Sequence, residues 1–119
     1  MSKGEFMIYD QMKTILKDLL RLEDVQGIIF LSHRGKRLFS EYEGETNNDL
    51  KNFDWVSLTR AFKCIREAEL IFGNNRIFYR RAELGQIVII MGWFATIAMI
   101  RLKCNDLLPA IDSDDTDCE

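Results

Sequence analysis

The chain has 119 residues and a mass of 13.9 kDa, which leaves room for one domain and not two, because very short chains bury too little of their surface. Hydrophobic residues make up 47% and charged residues 29%, a composition that excludes wholesale disorder and predicts a packed core. A net charge of -3 and an isoelectric point near 5.2 supply no global basic field, so nucleic acid is not an expected partner.

The cysteines Cys64, Cys104 and Cys118 are odd in number and contain no C-x-x-C pair, which fits neither a disulfide framework nor a zinc site. They are read as reduced thiols of a cytoplasmic protein. The N-terminus has no apolar segment before a small-residue cleavage site, so no secretory signal is read there. The most apolar stretch, Ile87 to Ile100, is interrupted by Gly92 and falls short of the roughly 18 residues that would span a bilayer. No membrane partner is expected.

In chain order, apolar residues from Phe6 to Leu22 recur at threes and fours and predict a first amphipathic helix. Gly27 to Leu31 and Lys36 to Tyr42 then predict two strands joined by a tight turn at Ser32 to Gly35. Glu43 to Asn52 is polar and reads as a loop. Asp54 is an N-cap candidate for a second helix from Trp55 to Ala68, whose broad apolar arc exceeds what one sheet face requires.

Glu69 to Phe72 reads either as a last helical turn or as a short strand, and the strand is preferred. Arg76 to Glu83 and Gln86 to Gly92 read as further strands. Ala95 to Lys103, apolar on both faces in its first half, is expected to be a last strand in the middle of the sheet. Asn105 to Ile111 leaves space for at most a docked turn because of Pro109, and 112–119 reads as an acidic flexible tail behind a domain of 1–111.

Two segments carry a family resemblance: V-Q-G-I-I-F-L-S-H-R-G-K-R-L-F-S at Val25 to Ser40, and T-I-A-M-I-R-L at Thr96 to Leu102. With the element order around them, they resemble the Roadblock / dynein light chain family. The resemblance implies an α+β profilin-like sandwich, with a central antiparallel sheet of about five strands flanked by helices. The implied order is α-β-β-α-β-β-β, with a short or absent C-terminal helix. It also implies a non-catalytic homodimeric adaptor that binds and regulates a small Ras-like GTPase or another signalling protein. Carried over by position, it places Leu58, Phe62 and Ile65 on the second helix at the two-fold seam. It places Ile77, Phe78 and Tyr79 on a strand that pairs edge to edge with its copy. A small-molecule sensor with a pocket between the sheet and the first helix is the alternative.

Three candidate contact sites stand beside the seam. The turn around Arg34, Lys36 and Arg37 has the charge of a phosphate cradle but lacks the G-x-x-x-x-G-K-[ST] spacing; a solvated hairpin tip is the plainer reading, an acidic partner the other. Arg76, Arg80 and Arg81 read as guards of a strand edge or as a basic rim around the seam. Trp93, beside Phe94, reads as packed on the first helix or as an exposed partner contact.

No catalytic residues are assigned. His33 is the only histidine, Cys64 has no neighbouring base, and Glu41, Glu43 and Glu45 lack an apolar wall that would raise a carboxylate's pKa. No metal and no cofactor is expected.

Overall fold

The structure, a computed structural model, describes residues 13–14, 16–43, 52–82 and 85–107. The expected helix start at Phe6, most of the polar loop after Glu43, the turn at Leu108 and Ile111, and the acidic tail lie outside them.

The first helix, α1, is helical at 13–14 and 16–20, and its apolar residues Leu16, Leu19 and Leu20 are all buried. Strands β1 (Val25–Leu31) and β2 (Arg37–Tyr42) form the expected antiparallel hairpin. Its turn is closed by Ser32, whose hydroxyl oxygen accepts from the N–H of Lys36 at 3.1 Å. Gly35 takes φ +91°, a left-handed conformation that costs other residues energy.

Helix α2 (Trp55–Ala61) starts where the sequence places its cap, with an Asp54 carboxylate oxygen accepting from the Ser57 N–H at 3.2 Å. It stops earlier than expected. The Phe62 N–H turns back to the carbonyls of Leu58 and Arg60, and the chain re-enters the sheet as β3 (Glu67–Phe72). The ambiguous segment 69–72 is therefore a strand. β4 (Asn75–Ala82) and β5 (Gly85–Met91) follow, close to their expected bounds.

The expected last strand is overturned. Ala95 to Lys103 is not a strand: the chain leaves the sheet at Gly92 and forms helix α3 (Ile97–Leu107). The C-terminal helix is thus present, and the T-I-A-M-I-R-L segment belongs to it. Ile100 and Cys104 are fully buried and Ile97 partly so, a helical three-and-four spacing, while Met99 and Leu102 point to solvent. Those two exposed apolar residues make the segment look buried on both sides. The central place in the sheet goes to β5, every residue of which is buried.

The five strands run antiparallel in the order β2-β1-β5-β4-β3. Side chains alternate between two cores, as strand geometry requires. Ile28, Phe78, Ile87 and Ile89 face α1 and α3, whereas Ile29, Tyr79, Val88 and Ile90 face α2. The architecture is the α+β sandwich expected, a five-stranded antiparallel sheet flanked by helices on both faces.

Cys104 is a free, buried thiol, but Cys64 is disulfide-bonded, so the expectation of reduced thiols throughout fails at Cys64. Spacing along a chain does not reveal which cysteines the fold brings together.

Candidate interaction surface

Sheet order decides which backbone groups are unsatisfied. β4 pairs on one side with β5 and on the other with β3, so Ile77, Phe78 and Tyr79 sit inside the sheet and are buried. The edge-to-edge pairing expected of them is corrected on that ground: a strand with two neighbours has no free ladder to offer. Within the sheet the free edge on this side belongs to β3.

The α2 face beside that edge is apolar. Phe62 packs on Tyr79 with ring centroids 5.0 Å apart at 68°, an edge-to-face pair. Leu58, Ala68, Leu70 and Phe72 are partly buried against the same core. Ile65 is exposed beyond the end of α2, in the connection to β3 rather than on the helix, and Ile71 on β3 is 68% exposed. Leu58 and Phe62 therefore pack on the same sheet face as Leu70 and Phe72 of β3.

The three arginines of β4 are engaged within their own chain. The Arg76 guanidinium donates to the carbonyls of Gly92, Trp93 and Ala95 and pairs with Glu69 at 2.9 Å, fastening the β5–α3 turn. Arg80 is almost fully buried and pairs with Glu67 at 3.4 Å. Arg81 donates to the Phe62 carbonyl at 3.0 Å, holding the end of α2. Neither the edge guard nor the basic rim expected of Arg76 and Arg80 survives, because their charges face acids and carbonyls of their own chain.

The remaining contacts are at the surface. Arg34, Lys36 and Arg37 are exposed around the β1–β2 turn. Trp93 and Phe94 are 58% and 80% exposed in the β5–α3 turn, so the packing on the first helix expected of them is corrected. The turn is held from beneath by Asp24, whose carboxylate accepts from the Phe94 N–H at 2.9 Å.

The space between the sheet and α1, where a sensor pocket was expected, is filled by Leu16, Leu19 and Leu20 against Ile28 and Ile89. A cleft of about 380 Å³ lies elsewhere, between the β1–β2 turn and α2, lined by Arg34, Arg60, Lys63 and Arg81 together with Val56 and Thr59. The sequence did not connect these residues. They come from three separate segments of the chain.

Among the described residues, no group of three or more His, Cys, Asp or Glu side chains could hold a metal ion, and no helix is long and apolar enough to cross a membrane.

No protein-family model and no curated protein matches the sequence. Solved structures do match the fold. The gliding protein MglB from Thermus thermophilus superposes with a TM-score of 0.66 at 13% identity, over 83% of this chain and 84% of that one. An MglB solved with a tetrameric arrangement gives 0.67 at 12% identity, over 83% of each chain. A Roadblock/LC7 domain from Streptomyces avermitilis gives 0.59 at 16% identity, over 78% of this chain and 88% of that one. The resemblance seen at Val25 to Ser40 thus holds at the level of architecture, and the chain has the Roadblock/LC7 fold.

Proposed function

We propose that the protein is a non-catalytic adaptor that self-associates through the β3 edge and the neighbouring α2 face, and that it regulates a small Ras-like GTPase or a related signalling protein by contact. The observation that carries this reading is the free edge of β3 beside the partly buried Leu58, Phe62, Leu70 and Phe72. An unpaired strand next to apolar surface is a template for a second chain. The fold is shared with a protein solved in a tetrameric arrangement, which supports self-association. A cytoplasmic location belongs to the same reading, and the Cys64 disulfide is the one observation that speaks against it.

Light scattering tests the assembly. From about 1 to about 100 μM, a range wide enough to expose mass action, the wild type is expected at twice 13.9 kDa. Phe62→Glu and Ile71→Lys are expected to shift towards the monomer. Ile71→Lys is the safer variant, since the side chain is 68% exposed. A monomer at every concentration would refute self-association. GTP hydrolysis and nucleotide release by a panel of purified Ras-like GTPases, with and without the protein, test the partner. An unchanged rate and no co-elution across the panel would refute the GTPase assignment.

A further inference from the structure

We propose that the cleft between the β1–β2 turn and α2 binds a phosphate group, free or carried by a small metabolite, with Thr59 as the buried hydrogen-bond donor and Arg34, Arg60, Lys63 and Arg81 as counter-charge. This site is separate from the adaptor reading and does not depend on it.

Charge is the first ground. Four cationic side chains converge on one cleft in a chain whose net charge is -3, His33 adds to the same lining, and no acidic side chain is among the described lining residues. Asp54 acts electrostatically on Arg60, but its carboxylate oxygens are occupied by the N–H and hydroxyl of Ser57. Arg81 donates to the Phe62 carbonyl and also hydrogen-bonds the Tyr79 hydroxyl, which leaves donors over, since a guanidinium has five.

The second ground is independent of charge. Thr59 is 7% exposed, lines the cleft, and its Oγ1 is buried with no hydrogen-bond partner. Buried hydroxyls are nearly always partnered in native proteins, so an orphan beside four cations points to an acceptor that enters from outside. A phosphate monoester brings about -1.5 to -2 of charge and three acceptor oxygens, which suits several cations and a hydroxyl better than a single carboxylate would.

Gly35 shapes the wall. A Cβ at that position would lie 2.8 Å from the Val56 Cα and 3.0 Å from Thr59 Oγ1, so only glycine lets the turn backbone come this close to α2. The volume of about 380 Å³ exceeds what inorganic phosphate alone fills and falls within the range of small-ligand sites.

The test is calorimetric titration of the full chain at low salt with inorganic phosphate, pyrophosphate and adenosine monophosphate. Wild type, Thr59→Val, Thr59→Ser and Arg60→Glu are compared. Saturable binding of one anion per chain is expected. Thr59→Val should weaken it about tenfold, the scale of a charge-assisted hydrogen bond, Thr59→Ser should restore it, and Arg60→Glu should abolish it. Without ligand, Thr59→Val should melt a few degrees higher than wild type, because a methyl replaces an unpartnered hydroxyl; a purely structural threonine would not combine higher stability with lost affinity. Equal affinities for phosphate and the nucleotide would identify the free anion as ligand, and tighter nucleotide binding a phosphorylated metabolite. No saturable binding by any probe up to about 10 mM, the edge of measurable affinity, would overturn the proposal. So would equal affinity in wild type and Thr59→Val.

Discussion

A guanidinium nitrogen of Arg80, in the interior of the sheet, donates to the Asn105 side-chain oxygen at 2.6 Å and so ties β4 to α3. The same guanidinium reaches Glu67 at 3.4 Å, and the other oxygen of Glu67 takes Arg101 at 2.8 Å. One carboxylate therefore holds a buried and an exposed arginine together, and α3 docks through charge as well as through Ile100 and Cys104.

Arg80→Ala should cost about 2–3 kcal/mol, below the full cost of breaking a buried pair because Arg101 still partners Glu67. Arg101→Ala, at the half-exposed end of the same network, should cost less than about 1 kcal/mol. Urea denaturation measures both. Equal costs would mean that burial of Arg80 contributes nothing to the docking of α3.

Burial pushes the Cys104 thiol up to about 11 from its ordinary value of 9.0; nearby Arg80 opposes the shift more weakly. A thiol whose pKa is higher in the folded than in the unfolded chain contributes stability that is present below pH 9 and is lost as pH rises towards 11. Urea midpoints should therefore fall between those pH values, and Cys104→Ala should flatten the fall relative to its own neutral-pH value. In the native protein at pH 8, Cys104 should not react with a disulfide reagent, whereas after unfolding it should react at once.

Two glycines with positive φ should respond differently to alanine. At Gly35, with φ +91° and α2 against it, Gly35→Ala combines backbone strain with a clash and should cost roughly 2 kcal/mol or more. At Gly73, with φ +60° and nothing within 4 Å of a built Cβ, the conformational cost stands alone, at about 1 kcal/mol. Similar thermal shifts in the two variants would show that the hairpin turn does not rest on α2.

Arg76 fixes the β5–α3 turn by geometry, and lysine cannot reproduce a fork that serves three carbonyls and a carboxylate. Arg76→Lys should cost about 1–2 kcal/mol, since hydrogen bonds to a charged group are lost. Trp93→Ser removes an exposed ring 6.0 Å from the Arg76 guanidinium carbon and should stay within about 0.5 kcal/mol. Thermal melts compare them, and a larger loss at Trp93 would show that the ring, not the arginine, holds the turn.

Much of this architecture was legible in the residues alone, because local chemistry governs it. Gly35 after Ser32 marks the β1–β2 turn, Asp54 before Trp55 marks the start of α2, and the apolar runs of β4 and β5 sit between turn signals. Each depends on neighbours within a few positions, where backbone sterics and capping act. Tertiary structure decided the rest. Met99 and Leu102 hide the helical spacing of Ile97, Ile100 and Cys104, and only the pairing of β5 with both β1 and β4 leaves α3 outside the sheet. Which strand ends at the edge, whether an arginine meets an acid or solvent, and how Arg34, Thr59 and Arg81 come to line one cleft all depend on contacts between segments distant in the chain. Residue patterns report the period and the caps of an element. The order in which strands pair follows from how two cores are filled at once, and no local pattern encodes that.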